Sequence, residues 1–405
     1  MTVAIIGCGS TGSAIAAQLV IKKNIKKITL IDNDLIKIKN LKIELSKLDK
    51  KLECSIYNIN ARKTTELIHI LKNIEVVINA SSPLCNIPIM KACLKTKSNY
   101  LDLASDPFNY PGVNKDTTLD SQLELNNTFI NKNLIAITNA GASPGFSDLL
   151  VKYISEKHQL DEILKIGIYF IEIVKSEKFI TSWSPYTLLL ETMYPATIFK
   201  DNKIIELENN QRKKFIQFSK PFGKMEIMLF NGHPELRTIP DFLNIPIRYI
   251  EVGGGFMLNN LDLEDILLEA MRKILNKSPL VKGNLIEILA SSFEKSDKFL
   301  KYYKNKKIKK DVISCLVEIE GKNKNKKIKY KVSSTVDLEE NFKVFPLSTA
   351  SSFMVSIVPS VLTNMILHNQ IAEKGVIAPA ALSNASDIID ECKRYEINFN
   401  ESYHR

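Results

Sequence analysis

A chain of 405 residues, 45% hydrophobic and 25% charged, is too long for one ordinary core and too apolar for disorder, so two folded domains are expected. Its net charge of +10 comes from lysines scattered among Asn and Ile over 22–27, 304–310 and 322–331, not from an Arg-rich, aromatic-interleaved face, which argues against a nucleic-acid partner. No stretch approaches the ~20 consecutive apolar residues of a membrane helix, and the chain enters an apolar strand at once, leaving no room for a signal or transit peptide. A cytoplasmic protein is therefore expected. Its six cysteines (Cys8, Cys54, Cys85, Cys93, Cys315, Cys392) show no CxxC spacing and read as reduced thiols.

Val3-Ala4-Ile5-Ile6 predicts a short strand running into Gly7-Cys8-Gly9-Ser10-Thr11-Gly12 and an Ala-rich helix over 13–20. A second strand over 28–31 ends on Asp32, 20 residues beyond Gly12. This is the strand, glycine turn, helix, strand and acid order of a dinucleotide-binding unit. Gly7 permits the tight turn, Gly9 lets backbone approach a pyrophosphate, and Gly12 lets the helix pack close. Ser10 and Thr11 complete the turn at the helix N-terminus, whose free N–H groups favour phosphate. Asp32 is placed to accept from a ribose diol, and its charge argues for NAD in preference to NADP, with Lys37 and Lys39 close enough in sequence to soften that preference.

After strand two come a polar stretch with Asn60, a helix over 64–71, and an apolar strand over 74–78 that enters Asn79-Ala80-Ser81-Ser82-Pro83. A helix over 88–96, a strand over 100–103 carrying Asp102, and a last strand over 134–138 followed by Asn139-Ala140-Gly141-Ala142-Ser143-Pro144-Gly145 complete a doubly wound parallel sheet. Ligands of such sheets lie beyond the carboxyl ends of the strands. Ala80, Ser81, Ser82, Pro83 and Asp102 are therefore expected to share one crevice with the glycine turn.

From residue 163 the pattern changes to longer alternating strands over 163–174, 224–231, 245–252, 312–320 and 326–333, with helices over 261–275 and 284–293 and a hairpin turn over 321–325. This reads as an α+β domain with an antiparallel sheet. An apolar helix over 349–369 is expected to return to the first domain. The fold class is thus α/β: an N-terminal Rossmann sheet over 1–155, with 346–395 returning to it, and an α+β substrate and dimerisation domain over 156–345. Ser182-Trp183-Ser184-Pro185 holds the single tryptophan, and Asn231–Thr238 packs His233, Glu235 and Arg237 into five positions. His233 is the natural base near neutral pH. Asp102 or Glu235 could hold an amine by charge, and Arg248 or Arg237 a carboxylate through paired hydrogen bonds. His404 lies in a tail expected to fray. No His/Cys/Asp/Glu spacing has the pattern of a metal site, so no metal is expected.

The segments GCGSTG, NASSP, NYLDLAS, NAGASPGFSDLL, SWSPYTLLLETMYPATIFKDNKIIE, PFGKMEIMLFNGHPELRTIP, IPIRYIEVGG and SFMVSIVPSVLTNMILHNQIAEKGVIAPA together resemble the saccharopine dehydrogenase family over nearly the whole chain. The resemblance implies a Rossmann domain, an inserted α+β domain, a homodimer, and NAD(P)-linked chemistry on a carbon–nitrogen bond of an amino acid or polyamine derivative. By position, Trp183 and Ser184 look like the family's substrate-side pair, and Arg248 like the arginine of the strand that faces the cleft. Two positions depart. Ser143 stands where saccharopine reductases tend to carry an acid before Pro-Gly, and Asn60 where the family often has an acid after strand three, near the adenosine. The rival readings are an aminoalkyl transferase of the homospermidine synthase kind, in which bound NAD is reduced and reoxidised in each turnover, and a non-catalytic NAD-binding sensor.

Overall fold

The first strand, TVAII, is buried along almost its whole length, as in a parallel sheet covered on both faces. The computed structural model describes residues 1–107, 115–275, 285–395 and 397–404. In chain order the strands are β1 (Thr2–Ile6), β2 (Lys27–Asp32), β3 (Glu53–Asn58), β4 (Val76–Asn79), β5 (Asn99–Asp102), β6 (Ile135–Ile137), β7 (Glu162–Ser176), β8 (Thr197–Lys200), β9 (Lys203–Glu206), β10 (Lys213–Gln217), β11 (Lys224–Leu229), β12 (Tyr249–Leu258), β13 (Ile308–Asn323), β14 (Lys326–Asp337), β15 (Gly375–Ile377) and β16 (Asn398–His404).

Seven of them form a parallel sheet in the order β15-β6-β5-β4-β1-β2-β3, with the chain reversing direction across the sheet at β1 and β4. Two expectations are corrected here. The strand over 134–138 is not the last of the set, because β15 adds itself beside β6 after more than two hundred intervening residues. The polar stretch before Asn60 holds both β3 and a helix, Leu35–Leu48. Asp34 caps that helix by accepting from the Ile36 and Lys37 N–H groups. Only Ile38, Leu41 and Leu45 are buried, a stripe at helical spacing narrow enough for the lysines around it to hide.

The second sheet runs β10-β11-β12-β7-β13-β14-β16, with β8 and β9 attached to β12. It is mixed rather than antiparallel, because β12 lies parallel to β7 with Ile250 opposite Ile166 and Leu258 opposite Val174. The hairpin between β13 and β14 turns at Lys324-Asn325, both with positive φ. The tail does not fray as expected: β16 pairs along β14 from Lys329–His404 to Thr335–Asn398. The predicted helix over 284–293 is present as Leu285–Ala290, and Asn284 lies outside the described residues.

The helix Ala350–Leu367 is long and apolar enough by composition to cross a membrane, contrary to the sequence expectation, but 83% of it is buried inside the protein. It is a core helix: Thr349 and Ser352 form a capping box at its start, and Gln18 of the first helix donates to Ser356 at 2.6 Å. All six cysteines are unpaired.

The far face of the second sheet holds a buried carboxylate, Glu251, which accepts from Tyr169 at 2.5 Å and Tyr249 at 2.8 Å and pairs with Lys165 at 2.9 Å and with Lys214. Burial alone would raise its pKa, but Lys214, Tyr169 and Lys165 hold it at about 2. A depressed carboxylate pKa adds stability that is present above the unfolded value and is lost as pH falls through the folded one. Glu251→Gln is therefore expected to cost roughly 2 kcal/mol at pH 7, allowing for the half-exposed lysines, and nothing at about pH 2. Urea denaturation of both proteins across pH 2 to 7 measures the difference, and a pH-independent gap would contradict the assignment.

Candidate active site

The glycine turn forms because its backbone leaves no room for anything else. Gly7 has a φ of +90°, and a Cβ there would sit 2.7 Å from the backbone of Ala80 and Ser81. A Cβ on Gly12 would fall 1.9 Å from the Gly7 carbonyl oxygen. Gly9 differs: a Cβ there would meet nothing within 4 Å, so its bare backbone faces open space. Beside it the Ser10 hydroxyl is buried without a hydrogen-bond partner. A cleft of about 490 Å³ opens here, walled by Cys8, Gly9, Ser10 and Lys37, and across it by Lys298 and Lys301 of the second domain. An orphaned hydroxyl, a backbone with space in front of it and a helix N-terminus fit a dinucleotide pyrophosphate.

Asp32 is where the sequence placed it, but it braces the turn: its carboxylate accepts from the Cys8 N–H at 2.7 Å and the Asp34 N–H at 3.0 Å. Ala80, Ser81, Ser82 and Pro83 lie against the glycine turn at the end of β4. The Ala80 N–H donates to the Ile6 carbonyl at 2.8 Å, Ser81 donates to Asn79, and Ser82 caps the short turn Pro83–Cys85. Thr11 is half-buried within the first helical turn. Asn60 is exposed beyond β3 and accepts from the Arg62 N–H at 3.0 Å.

A second cavity, of about 130 Å³, lies past the carboxyl end of β6, between Ser143 of the following turn, strands β7 and β12 of the second sheet, and the start of the helix Ala350–Leu367. Its wall carries Glu172, Glu191, His233 and Trp183, with Phe170, Phe230 and Phe256, and among the described residues it holds no lysine or arginine. His233 precedes the helix Glu235–Phe242, so its Nδ1 meets Glu235 directly, and Phe170 and Phe230 flank its ring at 6.3 and 5.8 Å between centroids. The other oxygen of Glu235 accepts from Ser147 at 2.7 Å and from Ser143. Ser143, at the position where the resemblance implies an acid, thus donates to a carboxylate that comes from Glu235.

Burial lowers the basicity of His233, but the charges of Glu235, Glu191 and Asp148 more than offset this and its pKa is raised. Burial likewise works against ionised Glu235, yet the His233 cation and the two serine donors hold its pKa below the usual carboxylate value. Glu191 is pushed up to about 7 by burial, with the Glu235 charge adding to this and the His233 charge opposing it.

The remaining candidates fall elsewhere. Asp102 is buried at the end of β5 and off the cavity wall; it accepts from the Asn139 N–H at 2.8 Å and from Gln122, and burial raises its pKa to about 7. Its carboxylate ties β5 to β6. Ser184 caps the helix Pro185–Met193 through the Thr187 N–H at 3.3 Å and does not line the cavity. Arg237 is spent on Asp120 and Asp241, both at 2.9 Å, and on the Pro107 carbonyl. Arg248 is exposed and paired with Glu162. The expected carboxylate grip by Arg237 and Arg248 is thus corrected: neither guanidinium reaches the cavity. Glu172 was missed although its signal was visible, a lone charge in the row Leu164, Ile166, Ile168, Phe170 and Val174 along one face of β7. Among the described residues, no group of three His, Cys, Asp or Glu side chains could hold a metal ion.

A doubly wound dinucleotide domain joined to a mixed-sheet domain, with an acidic cavity between them, defines an NAD(P)-binding two-domain class. Residues 3–140 match the saccharopine dehydrogenase NADP binding domain and residues 141–397 the saccharopine dehydrogenase C-terminal domain, and the chain belongs to the saccharopine dehydrogenase family. It is 28% identical over 267 residues to the carboxynorspermidine synthase of Vibrio cholerae serotype O1, and the match spans 63% of each chain. It is 22% identical over 252 residues to the carboxyaminopropylagmatine dehydrogenase of a Synechocystis species, covering 60% of this chain and 59% of that one. In fold it is similar to the NAD complex of the homospermidine synthase of Legionella pneumophila, with a TM-score of 0.69 at 16% identity over 100% of this chain and 91% of that one. The apo saccharopine dehydrogenase (L-Glu forming) of Saccharomyces cerevisiae gives 0.63 at 13% identity over 100% of both chains.

Proposed function

We propose that this protein is an NAD(P)-linked oxidoreductase acting on a carbon–nitrogen bond of a cationic amine, a polyamine derivative rather than a simple amino acid. The observation that carries this reading is the cavity wall: the carboxyl groups of Glu191 and Glu172, four aromatic side chains, and, among the described residues, no lysine or arginine. Buried carboxylates demand a positive partner, and aromatic faces attract ammonium groups. The names of the two relatives, carboxynorspermidine synthase and carboxyaminopropylagmatine dehydrogenase, support the same substrate class.

The residues divide the work as follows. The dinucleotide, held by Gly7, Gly9, Ser10, Gly12 and the helix behind them, supplies the hydride acceptor or donor. Glu191 and Glu172 hold substrate ammonium groups, and Trp183 with the phenylalanines excludes water. Glu235 is a positioning residue that fixes Nδ1 of His233 and leaves Nε2 as the atom that carries the proton to or from the reacting nitrogen. The charges of Glu235, Glu191 and Asp148 raise the His233 pKa and so favour the protonated imidazole.

For the cofactor we favour NAD, because a 2′-phosphate at the end of β2 would approach the Asp32 carboxylate. Lys37 on the same wall of the cleft and Lys298 and Lys301 across it work in the opposite sense. Asp32→Asn is expected to raise the affinity for NADPH relative to NADH by about tenfold, the low end of what a hydrogen bond to a charged group is worth. Titration of reduced-nicotinamide fluorescence reads the ratio, and an unchanged ratio removes Asp32 as the discriminator.

The test of the function is reduced-cofactor consumption with a linear diamine plus an ω-aldehyde, and cofactor reduction with secondary polyamines, against a parallel panel of saccharopine-type amino acids. Turnover with the polyamine group and not the amino acids supports the reading. The reverse pattern would overturn it. The homospermidine synthase likeness keeps one alternative in view, an aminoalkyl transfer with no net change of cofactor.

A further inference from the structure

The proton-carrying dyad leaves one pair of buried acids unexplained. Strands β7 and β13 are antiparallel with Glu172 opposite Ile313 and Val174 opposite Asp311, so Glu172 and Asp311 are diagonal neighbours on one face. Both are buried, at 3% and 1% exposure. Glu172 accepts from the Trp183 indole N–H at 3.0 Å and from the Ser182 hydroxyl. Asp311 accepts at one oxygen from the Ala350 N–H at 2.9 Å, and its other oxygen, Oδ1, meets no donor. The two carboxyl groups contact each other.

Two carboxylates in contact in a dry interior cannot both ionise. The better-served member ionises first. That is Glu172, with two neutral donors against the single backbone donor of Asp311. Of the charged and titratable groups around them, Asp337 reinforces this order by raising Asp311; Tyr303 also lies near Asp311, and Glu191 and His233 share the cavity wall with Glu172 and act on it in opposite senses. Burial pushes Glu172 up to about 7 and Asp311 well above the carboxylate range.

The geometry points to Asp311 as a positioning residue that stays protonated and donates to Glu172, so that Glu172 docks the substrate's ammonium with release of one proton to solvent. The balance is simple. Before binding, below pH about 7, the pair carries two protons and no charge. Afterwards Asp311 keeps its proton, Glu172 has lost one to the buffer, and its carboxylate faces the ammonium. No electron moves and no covalent bond between heavy atoms changes. The inference rests on the amine reading of the cavity.

The sign of the pH dependence follows. Below pH about 7 Glu172 must give up a proton to bind, so amine affinity falls by up to about tenfold per pH unit, and above it the coupling vanishes. Calorimetric titration of the full-length protein with 1,4-diaminobutane, at pH 6 and pH 8 in two buffers of different ionisation enthalpy, counts the protons released. Because Glu191 titrates in the same range, the decisive quantity is the difference between proteins. Glu172→Gln is expected to release about 0.9 fewer protons per diamine than the natural protein at pH 6, and about 0.1 fewer at pH 8. Asp311→Asn, which keeps a neutral donor, is expected to bind within about threefold of the natural affinity, whereas Asp311→Ala, which removes the donor, weakens binding about tenfold or more.

Equal proton release by Glu172→Gln and the natural protein would overturn the proposal while leaving the amine reading intact. So would a tenfold loss in Asp311→Asn, because it would make Asp311 an ionised counter-charge. A second measurement needs neither ligand nor turnover. The infrared carbonyl stretch of a protonated carboxylic acid should persist at pH 9 in the natural protein and be absent from Asp311→Asn. Its absence from the natural protein would also overturn the proposal. If no diamine binds while the band is present, the amine reading fails and the docking role fails with it, but the one-proton pair stands.

Discussion

Gly12→Ala is expected to abolish dinucleotide binding and to destabilise the protein. The new Cβ would lie 1.9 Å from the Gly7 carbonyl oxygen, a contact between backbone and a rigidly placed atom that no side-chain movement relieves. Either the first helix moves away from β1 or the turn opens. Forced overpacking of this kind costs about 1–3 kcal/mol, and because the same turn presents its N–H groups to the pyrophosphate, cofactor affinity is expected to fall at least about a hundredfold. Gly9→Ala is the informative contrast. Its Cβ meets no protein atom within 4 Å, so the thermal midpoint should stay near that of the natural protein while binding is lost to a clash with the ligand. Nicotinamide fluorescence and thermal denaturation, measured on both variants, separate the two effects. If Gly12→Ala bound cofactor normally, the turn would not be the pyrophosphate site.

The second large effect is expected at His233. Replacing it with Asn removes the proton carrier while keeping a polar side chain of modest size, and positioned proton transfer contributes about 10²–10⁴-fold. The kcat for imine reduction should fall within that range. In the natural protein kcat should decline as pH rises through the raised His233 pKa, because the reductive direction uses the protonated imidazole. Glu235→Gln removes the charge that opposes the effect of burial, so the same decline should move to lower pH with KM little changed. A pH profile of Glu235→Gln that overlays the natural one would show that His233 is not the titrating group.

How much of this was legible beforehand depends on how far apart in sequence the cooperating residues lie. The glycine turn, Asp32 and the 79–83 turn are local patterns whose spacing follows from the mechanics of one βαβ unit. The nearness of His233 and Glu235 was visible for the same reason, since a single proline separates them, but their direct pairing was not expected. The Leu35–Leu48 helix was not, because three buried residues among lysines give a weak periodic signal. β15 could not be placed beside β6, nor Asp311 beside Glu172, because those contacts are set by strand register between segments more than a hundred residues apart. Arg248 shows the opposite hazard. The resemblance placed it facing the cleft, but in this chain it stands one residue before β12 and turns outward to Glu162. The specificity of the cavity therefore rests on carboxyl groups embedded in strands, where apolar alternation leads the eye to expect core.

The central claim is that hydride passes between the dinucleotide and a substrate carbon bonded to nitrogen, with net oxidation or reduction. The most direct test supplies the purified protein with nicotinamide cofactor deuterated at C4, a diamine and an ω-aldehyde, and weighs the product by mass spectrometry while following cofactor absorbance. We expect one deuterium on the carbon bonded to nitrogen for each reduced cofactor consumed. Product formed without cofactor consumption would contradict an oxidoreductase and identify an internal transfer instead.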